Sequence, residues 1–273
     1  MSNVVYEYEF IKETEGLFCR CNYGVLCSGQ KSTPNWHQHI ELLYCFVGRA
    51  EVLIEDCRLE FNTGDVVIID SGKIHSLIAY EKTEFFCVHI DRQYCTLNEI
   101  DTDRMKFISR VENGIELIES ITKLKKAIDG ETLFSTAHIN SALLELMILL
   151  CEKYSVEVPA DVKMSVSFKR VRHLMTYIKQ NFDKKLTLEL LANEVGINKY
   201  QLTREFKAAT RQSLNEYINA IRCNYAKRMI SGGMSVSEAA FSCGYHNLSY
   251  FSKTYKKYFK MLPSETEVIK NNK

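Results

Sequence analysis

Two sets of side chains in this 273-residue chain are typed and spaced for chemistry. The first comprises His37, Glu41 and His75, with Trp36 and Tyr44 close by in sequence. Imidazole nitrogens and a carboxylate bind protons, polar ligands or a transition metal, and the two aromatic rings add stacking surface for a sugar. The second set lies in two short stretches of the C-terminal half. Lys199, Tyr200, Gln201, Thr203, Arg204 and Lys207 fall in one, and Leu248, Ser249, Tyr250, Lys253, Lys256 and Lys257 in the other. Arg contacts guanine bidentately, Gln contacts adenine, Lys and Tyr hold phosphates, and apolar contact with thymine methyls suits Leu248 and Tyr250. The sequence has no nucleophile elbow, P-loop or GxGxxG string, so no residue is assigned to catalysis and no cofactor is expected.

Helices must position the second set. The stretches LTLELLANEVGINKYQLTREFKAAT (Leu186 to Thr210) and SVSEAAFSCGYHNLSYFSKTYKKYF (Ser235 to Phe259) each read as a helix-turn-helix. In the first, Leu188, Leu191, Ala192 and Val195 give an inner face, Gly196 the turn and Asn198 a cap. In the second, Val236, Ala239, Ala240, Gly244 and Asn247 repeat the logic. With Leu202, Phe206, Phe251 and Tyr255 facing inward, the polar set faces out. Helices are expected over 168–182, 187–195, 199–209, 214–230, 236–243 and 248–258. The strut from Leu214 to Ile230 spans about 25 Å at 1.5 Å per residue. Such a strut suits two readers in successive major grooves, about 34 Å apart. Charge agrees. From Phe168 onward there are 19 Lys/Arg against 8 Asp/Glu, a net of +11, while the preceding residues hold 16 against 26, a net of −10. A basic C-terminal half is an anion-binding one.

The first set belongs to strands. Up to Ile90, the short apolar runs ELLYCFV, AEVLIE, DVVIID, HSLIAY and EFFCVHI alternate with turn residues, the pattern of a sandwich or barrel. From Asp103 to Tyr154 the period becomes helical. Val111, Ile115, Ile118, Ile121, Leu124 and Ile128 make one stripe, and His138, Leu143, Leu146, Met147 and Leu150 a second, around Gly130. Two stripes rarely find room on one small barrel, so one helix is expected to pair with a second subunit. Residues 155–167, including Pro159, read as a linker. The ten cysteines form no CxxC and sit mostly in apolar runs, as reduced thiols do. No leader pattern opens the chain, and the longest apolar run, near Leu143 to Cys151, is too short to span a bilayer. The expectation is a cytoplasmic protein with no membrane partner.

The strings LANEVGINKYQLTREFK, YINAIRCNYAKRMI and AFSCGYHNLSYFSKTYKKYFKMLPSE resemble the AraC/XylS family of bacterial transcription regulators over about Val171 to Glu265. The family usually ends with Gly-x-x-Pro-x-x-Tyr/Phe-Arg; here Lys260 replaces the Gly, Pro263 remains, and Thr266 and Glu267 fill the last places. The resemblance implies promoter DNA as partner and activation through RNA polymerase. The strand region resembles the cupin barrel of such regulators. Gly48 lies seven residues after Glu41, and Gly64-Asp65 precedes His75 by ten. A complete cupin metal site would be HxHx3E plus a later His; in this register the positions are Asn35, His37, Glu41 and His75. Asn is a poor ligand for a soft site, so no metal is assigned.

Three readings of this cluster stay open: an internally satisfied polar group, a pocket for an organic inducer, and a metal site. The expectation is an α+β multidomain chain. Residues 1–100 form a cupin-like sensing barrel, 101–154 a helical dimerisation segment, 155–167 a linker, and 168–273 an all-α tandem helix-turn-helix domain. Its expected role is a homodimeric activator controlled by a small-molecule effector such as a sugar. The alternative is a metal-dependent cupin enzyme with a helical protein-interaction tail.

Overall fold

The computed structural model describes residues 18–130, 132–158 and 165–266. It divides into two compact units, Met1–Lys163 and Met164–Lys273. Part of the expected linker, 159–164, and both chain ends lie outside the described residues.

The first unit is built from β1 (Cys19–Leu26), β2 (Ile40–Val47), β3 (Arg49–Ile54), β4 (Cys57–Asn62), β5 (Val66–Ile69), β6 (His75–Ala79) and β7 (Thr83–Ile90). Then follow α1 (Arg92–Leu97), β8 (Met105–Phe107), β9 (Arg110–Val111), α2 (Ile115–Asp129), α3 (Ser135–Lys153) and β10 (Ser155–Glu157). One sheet has the order β1-β7-β2-β5-β9 and another β4-β3-β6, while β10 pairs with β8. Alternation along each strand sorts side chains into two cores. Leu43, Cys45, Val67, Ile69, Phe85 and Cys87 of the larger sheet share a core with Val52, Phe61, Leu77 and Ala79 of the smaller. On the other face, Ile40, Leu42, Val66, Ile68, Phe86 and Val88 pack against the helices. Gly48 closes the turn from β2 to β3 at φ +102°, where an added Cβ would lie 2.2 Å from the Lys82 carbonyl oxygen.

Four expectations need correction here. Helix was expected from Asp103, but β8 and β9 precede α2, because β8 gains a partner in β10 and β9 extends β5. That pairing also takes Ser155–Glu157 out of the linker. The buried stripe of α2 is Leu117, Ile121 and Leu124, with Ile115 left 69% exposed; on α3, Ile139 is buried and His138 is exposed. Finally, both helices bury their stripes in one core with the larger sheet. Two stripes do find room on one unit, so the argument that one of them requires a second subunit fails.

The second unit contains α4 (Val166–Gln180), α5 (Leu188–Glu194), α6 (Lys199–Thr210), α7 (Leu214–Ser231), α8 (Val236–Ser242) and α9 (Leu248–Phe259). These lie within about two residues of the expected spans, as capping signals allow. The Asn198 side chain accepts from the Gln201 N–H at 2.8 Å, and Asn247 from the Tyr250 N–H at 2.8 Å. Ser213 with Glu216, and Ser235 with Glu238, form capping boxes for α7 and α8. Leu188 departs from its expected inner position and is 44% exposed. Gly244, at φ +75°, lets the turn pass the Asp183 carbonyl, which an added Cβ would approach to 2.5 Å. The last turn is docked despite Lys260: Tyr255 and Thr266 join hydroxyls at 2.6 Å in a buried contact.

Candidate functional site

In the first unit the larger sheet turns Glu41 inward. Its side chain is wholly buried, which costs free energy unless the charge is met. One oxygen, Oε2, lies 3.0 Å from His37 Nε2 and 2.9 Å from His75 Nε2. The other, Oε1, accepts from the Cys87 thiol at 3.0 Å and lies 3.7 Å from His89 Nε2. Burial alone would raise the Glu41 pKa, but His75, His89 and His37 outweigh it and hold the carboxyl well below the carboxylate range. Burial lowers His37 despite the Glu41 contact, and takes His89 down to about 3. Burial thus works against a charge on the His37 and His89 rings, while the rings favour the charged form of Glu41.

Backbone carbonyls fix two of the rings. His37 Nδ1 lies 3.2 Å from the His39 carbonyl oxygen and His75 Nδ1 lies 2.9 Å from that of Lys73. A carbonyl only accepts, so each Nδ1 donates and each ring aims Nε2 at Glu41.

Of the five expected sensor residues, the structure brings together His37, Glu41 and His75. Trp36 lies half-buried in the segment before β2. Tyr44 does not belong with the cluster. It is an odd number of residues from Glu41, so alternation turns it to the helix-facing side, where its ring meets Phe46 at 4.7 Å. Two members were missed, Cys87 and His89. The register pairs Glu41 directly with His89 across β2 and β7. Alternation in EFFCVHI puts Cys87 and His89 on one face, but which strand they oppose is a long-range fact. His39 precedes β2 and lies 3.9 Å from Asp91.

In the second unit, α6 presents Lys199, Tyr200, Thr203, Arg204 and Lys207 to solvent, with Tyr200 88% exposed. Gln201 differs: it is half-buried and donates to Glu205 Oε1 at 2.8 Å. Glu205 in turn takes a forked contact from Arg170 of α4, at 2.6 to 3.1 Å. Arg170 and Glu205 were not found from sequence, since nothing local marks an α4–α6 pair. On α9, Leu248, Ser249, Tyr250, Lys253, Lys256 and Lys257 are all exposed. The Tyr250 hydroxyl accepts from Asn219 of α7 at 3.0 Å, so its oxygen is tied into the unit while its ring stays open.

Two Asn-capped helices with exposed basic side chains, in a chain that also carries a strand-built domain, are the features of a DNA-binding regulator with a second module. Residues 191–267 match the helix-turn-helix domain family and residues 25–90 the cupin domain family. The melibiose operon regulatory protein of Escherichia coli (strain K12) is 21% identical over 252 residues, 85% of this chain and 82% of that protein. A probable AraC family transcriptional regulator from Rhodopseudomonas palustris is 30% identical, covering 36% of this chain and 94% of that one (TM-score 0.35). ToxT from Vibrio cholerae shares the fold over 91% of this chain and 97% of its own at 15% identity, with a TM-score of 0.52. Curated relatives are spanned over 51% to 84% of their length. The chain belongs to the AraC family of helix-turn-helix transcriptional regulators.

Proposed function

We propose that this regulator binds promoter DNA through α6 and α9 and is controlled by a small molecule received in the cupin domain. The observation that carries the reading is the pair of Asn-capped helices whose exposed faces carry Arg204, Lys199, Lys207, Lys253, Lys256 and Lys257. Arg204 discriminates bases, Gln201 can join it only by leaving Glu205, and the α9 lysines and Tyr250 grip backbone and shape. The polar cluster around Glu41 receives the effector, and Trp36, next to His37 in the chain and half-buried, is the candidate stacking surface. The name of the melibiose relative supports a sugar-like one. Effector control acts through unequal affinity for two states of the chain.

Homodimerisation and contact with RNA polymerase as an activator in the cytoplasm complete the reading. Leu144 and Ile148, exposed four residues apart on α3, support the dimer. Among the described residues, no helix is long and apolar enough to cross a membrane. The test is binding to the intergenic DNA flanking its own gene against random duplex at physiological salt. Preference for the intergenic DNA is expected, and equal binding ends the specific-reader reading. The alternative of a metal-dependent enzyme is favoured by one observation, the convergence of His37, Glu41 and His89.

A further inference from the structure

The polar ends of two α6 side chains are engaged within the second unit. The Gln201 amide donates to Glu205 Oε1 at 2.8 Å, and the Arg170 fork fixes that carboxylate in place. An amide reads adenine with its N–H and its oxygen together, so this contact takes half of the pattern. The Thr203 hydroxyl donates to the Lys199 carbonyl oxygen one turn back, at 2.8 Å. A hydroxyl has one proton, and here it is used inside the helix. Thr203 is nevertheless exposed, and the other branch of its side chain is the Cγ2 methyl.

We propose that Thr203 determines specificity through that methyl, which packs on the 5-methyl group of a thymine in the major groove. Its position supports this. Thr203 directly precedes Arg204 and lies three residues after Tyr200 and four before Lys207, all of them exposed. Residues three and four apart on a helix are neighbours on its surface, so Thr203 shares the outward face of Tyr200 and Lys207. Of the four bases, thymine alone presents a methyl group in the major groove, and the threonine methyl is an apolar group that suits it. Consecutive Cα atoms lie about 3.8 Å apart and stacked base pairs about 3.4 Å, which sets the thymine within about two base pairs of the guanine read by Arg204. The first box then combines a guanine, recognised by a charged hydrogen-bonding fork, with a thymine recognised by shape.

The proposal rests on α6 as a base reader, and the test separates the two. Full-length protein is titrated with the intergenic duplex flanking its own gene, and with copies in which each thymine is replaced singly by deoxyuridine. That replacement deletes the 5-methyl group and leaves every hydrogen-bonding group in place. Wild type should lose about fourfold in affinity at a thymine beside the Arg204 guanine, the effect of one apolar carbon. This scan depends on no variant's folding. Thr203→Ser keeps the hydroxyl and drops the methyl; it should bind the unmodified duplex about fourfold more weakly and be indifferent to deoxyuridine at that position. Thr203→Val drops the hydroxyl and keeps a methyl, so it should discriminate as wild type does. A Thr203→Ser variant that still senses the methyl, or a Thr203→Val variant that does not, would overturn the proposal. Preference for the intergenic over random duplex with no thymine responding would overturn it and leave α6 a base reader. Equal binding to both duplexes would overturn it together with that reading.

Discussion

At the scale of single residues, the two readers differ in what a substitution should do. Arg204→Ala is expected to cost about 1–3 kcal/mol at one base step and to relax specificity there. Measured against a panel of single-base variants, a uniform loss would make Arg204 a phosphate contact instead. Gln201 was legible as an amide facing outward, but its tie to Glu205 was not, because the Arg170 that holds Glu205 is 35 residues away. The same limit hid His89. Its face could be read from alternation, whereas its partner Glu41 is set by strand register. Tyr44 shows the converse: the odd offset from Glu41 was available in the sequence and already placed it on the other face.

At the scale of elements, helix ends carry measurable free energy. Asn198→Ala should destabilise the second unit by about 0.5–2 kcal/mol, since it leaves the Gln201 N–H without its cap. Lys260 holds a left-handed conformation at the end of α9, φ +60°, where glycine meets no Cβ penalty. Lys260→Gly should therefore stabilise by about 1 kcal/mol, read from urea midpoints. Carboxylates add an acid dependence. The Arg170 contact lowers the pKa of Glu205, and the capping contacts with Ser213 and Ser235 lower those of Glu216 and Glu238. Each contribution is fully present above the ordinary value of 4.5 and is lost as pH falls below it through the depressed value. The Tm of the second unit should drop in that window, less steeply in Glu205→Gln.

The helices of the second unit were legible because apolar period, caps and turn glycines agree at each one. The first unit was legible in part. β2, β3, β5, β6 and β7 are apolar runs. β4, largely exposed as CRLEFN, shows no such run, and β8, β9 and β10 exist only through partners distant in sequence. The frame of α2 was misread because Val111 and Ile115 continue its period in sequence, although Val111 belongs to β9.

For the whole molecule, the division of charge is the property with the broadest consequence. A net of +11 from Phe168 onward and −10 before it puts the attraction for DNA in the helical unit. Binding should weaken steeply with salt, with log affinity falling by about 0.9 per phosphate contact for each decade of salt. The central claim is that α6 and α9 read two sites on one duplex. Selection of binding sites from a pool of random duplexes tests this most directly. Two short boxes are expected, centred about one helical turn apart, with Arg204→Ala relaxing one box and leaving the other. A pool that returns no enriched sequence, or a single box insensitive to Arg204, would contradict it.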